Sequence, residues 1–290
     1  MDEEKKADAR IKNYKELARK KVPAELHRSL PTSFDIIGDI AVLKLGEELK
    51  QFQAEIGEAI LGAYKSIKVV AIDSGVTGDL RRRSVEIIAG ESRTTTSHKE
   101  YGITLEVDIA RAYFSPRLAS ERWRIAQQVG SDECVVDAFA GVGPFSILAA
   151  KHRKPRKIIA IDINPAAFEF LEKNIRANKV GGTVSGICGD AREELPKIAQ
   201  NEKISRIIMN LPWKSFEFLD AAMGAVSNGG YIHFYEISEK NDIEKRKEDI
   251  IGLAGRVGAG ARISQSRVIK SYSPSQVNYV LDLLIEKVAR

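Results

Sequence analysis

After about Asp132 the chain settles into an alternation of apolar strand-like runs and helix-like runs, and this restricts its fold more than any other feature. CVVDAF is followed by a glycine-containing turn and PFSILAAKH, and KIIAIDI by PAAFEFLEKNIRANK. TVSGICGD, RIIMNLP and YIHFYEI are further strands, and NYVLDLLIEKV closes the chain. Such alternation predicts an α/β domain over residues 108–290 with a mostly parallel, doubly wound sheet. Sheets of that kind bind ligands beyond the carboxyl ends of their strands.

The preceding sequence has another texture. Residues 1–21 mix Lys and Arg with Asp and Glu without a broad apolar face, which predicts a charged arm, either a solvated helix or partly disordered. SFDIIGDIAVLKL reads as two short strands around Gly38. EELKQFQAEIGEAILGAY places Phe52, Ile56, Ile60 and Leu61 at helical spacing, and SIKVVAID, SVEIIAG and GITLEVDI are strand-like. Residues 22–107 therefore read as a smaller N-terminal α+β domain.

With 290 residues there is room for two cores. No apolar run reaches bilayer length and Met1–Lys21 has no signal-peptide core, so a cytoplasmic protein is expected. Cys134 and Cys188 each sit in an apolar run with no Cys or His at metal spacing. They read as small buried hydrophobes, and neither a metal site nor a disulfide is expected. The net charge of +5 permits a polyanionic partner. Basic residues cluster at Arg81–Arg83 and again over Lys151–Lys157, the latter read as a solvated helix-to-strand loop.

The chemistry concentrates at the strand ends. The first ends in DAFAGVGPF, Asp137–Phe145, where Gly141 and Gly143 let backbone approach a ligand. Ser146 stands where a dinucleotide fingerprint has its third glycine, so this loop alone is also compatible with a plain tight turn. The second strand ends in IDINP with Asp162, placed to accept ribose hydroxyls, and the third in GDAREE with Asp190, placed to accept an adenine amine. Each acid alone reads equally as a helix cap or surface charge; three on successive strand ends point to a nucleoside. The fourth strand ends in Asn210-Leu211-Pro212-Trp213, similar to the Asn-Pro motifs of class I methyltransferases acting on base nitrogens. The Asn amide offers a donor and an acceptor to a planar base. The domain is thus expected to be a Rossmann-like class I S-adenosylmethionine-dependent methyltransferase. Its cofactor-binding residues are expected to be Asp137, Phe139, Gly141, Gly143, Pro144, Phe145, Asp162, Ile163, Asn164, Asp190, Ala191 and Asn210.

From about Pro23 onward the chain resembles the archaeal and eukaryotic tRNA guanine-N1 methyltransferases that modify guanine 37. The resemblance rests on SFDIIGDIAVL, LRRRSVEIIAGESRTTTSHKEYG, VDIARAYFSPRLASER, DAFAGVGPFSI, IDINP and NLP. It implies S-adenosylmethionine as methyl donor and the anticodon loop of tRNA as partner, with no membrane, no obligate protein partner and no metal required. It implies Glu121 as general base, Arg81 as the partner of guanine O6, Asn210 and Pro212 as base-positioning residues and Tyr113 as a stacking ring. Arg82, Arg83, Lys99 and Arg117 are the implied RNA contacts. From the residues alone, Glu121 reads as a surface pair with Arg117 four positions earlier on a helix opened by Ser115-Pro116. A sister branch, the aminocarboxypropyl transferase of the wybutosine pathway, shares the small domain but lacks Asn-Leu-Pro. A wyosine-precursor methyltransferase is compatible with the same motifs. Asp162, Asp190, Asn210 and Glu121 speak against a non-catalytic RNA-binding module, and a small-molecule methyltransferase would have little use for the basic small domain. Archaeal family members commonly carry a further N-terminal domain, where a charge-rich stretch of about twenty residues stands here.

Overall fold

The computed structural model describes residues 13–77 and 82–287, and the chain divides into two compact units. The first takes the described residues up to Lys99 together with Leu105–Arg117; the second takes Glu100–Thr104 and the described residues from Leu118 onward. The division falls after Arg117 rather than after residue 107, because Leu105–Arg117 groups with the smaller unit.

The first unit opens with helix α1 (Tyr14–Ala18), whose Lys15 N–H donates to the Asn13 side chain. This corrects the expectation of a solvated arm up to residue 21. Tyr14 and Ala18 lie one helical turn apart and, with Val22, are buried in a core with Leu30, Leu49, Ile56 and Ile60. Two inward residues, with Val22 just beyond, suffice for so short a helix, and the charges occupy its other faces. The Tyr14 hydroxyl donates to the Pro31 carbonyl and Lys15 Nζ to that of Leu30. Strands β1 (Asp35–Ile37) and β2 (Ile40–Leu43) pair antiparallel around Gly38. Gly38 has φ +57, and a Cβ there would lie 2.1 Å from Thr96 Oγ1, so only glycine fits the turn. A 3-10 turn and helix α2 (Gln53–Ala63) connect β2 to β3 (Val69–Thr77), which runs parallel to β2. Strand β4 (Arg82–Gly90) returns antiparallel, giving the order β1-β2-β3-β4. Strands β5 (Thr95–Glu100) and β6 (Ile103–Asp108) make a separate two-stranded sheet.

In the second unit, a 3-10 turn at Pro116–Leu118 precedes helix α3 (Ala119–Gln128). Then follow β7 (Cys134–Asp137), α4 (Pro144–Arg153), β8 (Lys157–Asp162), α5 (Pro165–Ala177), β9 (Val184–Cys188), α6 (Ala191–Asn201) and β10 (Ile204–Met209). Helix α7 (Leu219–Ala225), β11 (Val226–Glu239), α8 (Ile243–Arg256), β12 (Ala259–Ser271) and β13 (Gln276–Lys287) complete it. The seven strands lie in the order β12-β13-β11-β10-β7-β8-β9. Strands β9, β8, β7, β10 and β11 are mutually parallel, and β13 is antiparallel to its neighbours β11 and β12. This is the expected doubly wound sheet. The chain moves outward from β7 through β9, then crosses back to β10, which leaves a switch-point crevice at the carboxyl ends of β7 and β10. Strand β7 is buried at every position, as a central parallel strand must be, whereas the edge strand β12 is mostly exposed.

Cys134 is buried, as expected. Cys188 is exposed, which corrects the reading of it as a buried hydrophobe. It is the last residue of β9, which lies at the edge of the sheet. Among the described residues no helix is long and apolar enough to cross a membrane.

Tyr14→Ala should lower unfolding stability by about 2–4 kcal/mol, the usual cost of emptying a core position. Urea denaturation measures it. An unchanged midpoint would return residues 13–21 to the solvated arm.

Candidate active site

The glycine loop between β7 and α4 is tied down before any ligand arrives. Gly141 has φ +57 and Gly143 φ +88. A Cβ on Gly143 would lie 2.5 Å from Leu171 Cδ1. The Gly141 N–H donates to Asp162 Oδ2 at 2.6 Å, the Asn164 N–H to Asp162 Oδ1 at 2.8 Å, and Asn174 Nδ2 to the Val142 carbonyl at 3.0 Å. Asp162 therefore braces the loop. A carboxylate has about four acceptor positions, so it can serve backbone and a ribose diol together. Asn164 and Asp190 both act as N-caps, of α5 and α6. The helix-cap reading of Asp190 thus describes a real contact, made at the strand end where a ligand would lie.

Other expected cofactor residues divide between crevice and core. Ile163 is 47% exposed at the tip of β8, an apolar surface left open between polar neighbours. Phe139 packs edge to face on Phe218, and Ala191 lies in the core. Pro144 starts α4 and is buried, as is Phe145. Asp137 is fully buried. Its Oδ2 accepts the Ser146 hydroxyl at 2.8 Å, which gives the residue in the third-glycine place a role, while Oδ1 has no partner. Burial, aided by the nearby charge of Asp162 and opposed by the Ser146 bond, pushes its pKa up to about 7. An orphaned buried acceptor beside a glycine cradle and an open apolar tip fits a ligand with an adenosine end and a cationic end, as S-adenosylmethionine has.

The Asn210-Leu211-Pro212 turn closes β10. Ser215 fixes it with its one hydroxyl proton, which has the carbonyls of Met209 (2.8 Å) and Leu211 (3.0 Å) as alternative acceptors, and the Pro212 carbonyl accepts the Ile237 N–H at 3.0 Å. Asn210 is half-buried and Pro212 buried.

Glu121 is not the surface partner of Arg117. Arg117 lies in the 3-10 turn before α3, out of i,i+4 register, and pairs with Asp35 at 2.5 Å. Glu121 is 1% exposed, on the face of α3 that also buries Arg122 and Ile125. Its Oε1 accepts Arg124 Nη2 at 2.7 Å and the Tyr235 hydroxyl at 2.8 Å; its Oε2 accepts Arg124 Nε at 2.9 Å. Arg124 is held from its far side by Asp282, at 2.5 Å. His233 follows, with Nδ1 2.6 Å from Asp282 Oδ1 and Nε2 2.7 Å from Arg206 Nη1. A guanidinium only donates, so Nε2 accepts and Nδ1 carries the proton that Asp282 receives: His233 is the neutral imidazole. Burial lowers its pKa further than Asp282 raises it. Burial raises Asp282, yet hydrogen bonds from His233 and Arg124 outweigh it and hold that carboxyl well below the usual range. The Tyr235 ring lies 6.1 Å from that of Phe145, which links Glu121 to the first turn of α4.

Sequence reasoning missed Tyr235, Arg124, His233 and Asp282. The last two carried a signal, as ionisable residues flanked on both sides by apolar or aromatic ones in the runs YIHFYEI and NYVLDLLIEKV. Arg81 lies outside the described residues. Arg82 and Arg83 open β4, opposite Thr77 and Val76. Lys99 is exposed and Tyr113 half-buried, both in the first unit.

Because the folded pKa of Asp137 is raised, its contribution to stability is full below about pH 4 and is lost as pH rises through about 7. Asp137→Asn should match the parent at pH 4 and exceed it by roughly 2–4 kcal/mol at pH 8. Urea midpoints at the two pH values decide; a variant less stable at pH 8 would mean that Asp137 is ionised at no cost.

Comparison with known proteins agrees with this geometry. Residues 96–254 match the TRM5/TYW2 methyltransferase domain, and residues 14–94 the TYW2 N-terminal domain. The tRNA (guanine(37)-N(1))-methyltransferase Trm5b of Pyrococcus abyssi is 44% identical over 282 residues, 95% of this chain and 81% of that protein. The tRNA(Phe) (4-demethylwyosine(37)-C(7)) aminocarboxypropyltransferase of Pyrococcus horikoshii is 33% identical over 275 residues, 94% of this chain and 96% of that one. Among solved structures, the complex of aTrm5 and tRNALeu superposes with a TM-score of 0.81 at 37% identity, covering 95% of this chain and 78% of that one. Methanocaldococcus jannaschii Trm5 in complex with adenosine gives 0.79 at 39%, covering 93% and 79%. The chain is a member of the TRM5/TYW2 methyltransferase family, built on a class I S-adenosylmethionine-dependent fold.

Proposed function

We propose that this chain transfers the methyl group of S-adenosylmethionine to N1 of guanine 37 in the anticodon loop of tRNA. The observation that carries the proposal is the buried, pre-oriented carboxylate of Glu121, in the same unit as the Asn210-Leu211-Pro212 turn. Neutral guanine holds a proton on N1 and attacks poorly until it leaves. Glu121 receives that proton, with Arg124 and Tyr235 fixing the carboxylate's orientation. Asn210 and the Pro212 turn present donor and acceptor groups to the base edge, and Arg81 stabilises the charge developing on O6. Bound S-adenosylmethionine supplies an electrophilic methyl on a positive sulfur, and the N1 lone pair displaces the thioether. Asp137, Asp162, Ile163 and Asp190 would hold it along the crevice. The target base must leave its stack to reach the site. Tyr113 would stack on it, and Arg82, Arg83 and Lys99 would meet phosphates; Arg117 would first have to exchange Asp35 for one. Action on tRNA in the cytoplasm fits this reading.

The match of residues 14–94 to the TYW2 N-terminal domain favours a second reading, aminocarboxypropyl transfer from the same donor. The intact Asn210-Leu211-Pro212 and the higher identity to Trm5b support methyl transfer instead. Mass analysis of nucleosides from guanine-37 and adenine-37 transcripts separates them: 1-methylguanosine is expected, only where guanine stands.

Glu121→Gln should lower the methyl-transfer rate by roughly 100- to 10,000-fold while S-adenosylmethionine affinity stays within about twofold. Single-turnover kinetics and calorimetry test this. Equal loss of rate and affinity would make Glu121 a structural residue.

A further inference from the structure

At the carboxyl edge of the large sheet lies a group of residues outside the cofactor crevice and the base carboxylate. Strand β13 is antiparallel to β11, and β12 to β13. Strand β12 therefore runs with β10, and its end reaches the edge that carries the Asn210-Leu211-Pro212 turn. The connection is direct. The Ile237 N–H donates to the Pro212 carbonyl, Ile237 faces Asn278 on β13, and Asn278 faces Lys270 on β12. Next to these, Trp213 and Tyr272 meet edge to face with ring centroids 5.2 Å apart, and they stay 53% and 51% exposed.

The rings are held for presentation. The N–H groups of Tyr272 and Ser273 donate to the Gln276 carbonyl, Gln276 N–H donates to Ser273 Oγ, and Lys240 N–H donates to the Ser275 carbonyl. Charge is one-signed. Residues 259–275 contain Arg262, Arg267 and Lys270 and no Asp or Glu. A register shift between Val268 and Lys270 re-aims the strand at that point. Arg267, 46% exposed, brings Nη1 to 3.8 Å from Glu121 Oε2. Asn278 is 3% exposed, yet its Oδ1 has no hydrogen-bond partner.

We propose that this rim is a subsite for the nucleotide adjacent to the target in single-stranded RNA. Its base stacks on the Trp213–Tyr272 pair, its phosphate lies against Lys270 and Arg267, and Asn278 Oδ1 accepts an N–H or O–H from it. Flipping a base out of a loop leaves its neighbour without a stacking partner. A rigid aromatic surface beside the base-positioning turn replaces that partner, and the basic residues of a segment without acids of its own suit the linking phosphate, Arg267 dividing its donors between it and Glu121. The inference rests on the function proposed above for the same site.

The test uses the full chain and an anticodon stem-loop with 2-aminopurine on either side of the target guanine. Parent protein should quench one of the two flanking positions. Trp213→Ala with Tyr272→Ala should abolish the quench and raise KM for the RNA roughly 10-fold or more, with KM for S-adenosylmethionine unmoved. Trp213→Phe with Tyr272→Phe should restore both, which separates stacking from a folding defect. Lys270→Ala should flatten the salt dependence of RNA binding by about one counterion. Alanine variants that quench and methylate as the parent does would overturn the subsite while leaving the methyltransferase reading in place. A parent that methylates nothing yet shows the Trp213-dependent quench would sink that reading and keep the subsite.

Discussion

The second unit is organised around a charge that cannot reach water. Glu121 is buried on α3, and a buried carboxylate must be matched by donors or abandon its charge. Arg124 supplies the match, but a buried guanidinium needs a second anion, which Asp282 provides. Asp282 in turn is met by His233, and His233 by Arg206, whose remaining donors reach Glu133. The series crosses α3, β10, β11 and β13, so the position of one carboxylate depends on four separate elements closing around it. Removing Arg124 would leave two carboxylates, Glu121 and Asp282, without a charged donor they share in the interior, a cost of several kcal/mol.

That arrangement explains why the sheet carries polar residues where its pattern calls for apolar ones. His233 and Asp282 face each other across β11 and β13, and each would be an error in a sheet built for burial alone. Together they fix the direction from which Arg124 approaches Glu121. The same face carries Tyr235, whose ring reaches toward Phe145 at the mouth of the crevice. The Glu121 carboxylate and the first turn of α4 after the glycine loop are thereby referenced to one strand.

Much of this was legible in the sequence. Apolar runs such as CVVD and RIIM are readable because central parallel strands are buried on both faces, and the three strand-end acids fall where the topology places a ligand. Strands β5 and β12 were not legible, since TTSHKE and AGARISQSRVIKS are exposed and polar, and periodicity reports burial rather than pairing. Tyr14 and Ala18 escaped because two inward positions in a five-residue helix make no periodic signal. The partners of Glu121 escaped for another reason. Arg124 is near in sequence, but Tyr235 lies 114 positions away, and nothing local says that they meet.

Asp162 joins two tasks in one side chain, since it holds the glycine loop through Gly141 and stands at the strand tip where a ribose would lie. Whatever that tip would bind and the shape of the loop are therefore coupled through one carboxylate. A substitution at this position would release the Gly141 and Asn164 N–H groups, so the glycine loop would change shape with it. Ile163, 47% exposed one residue further on, carries no such bracing side-chain contact, so the strand tip joins a fixed point to an open one.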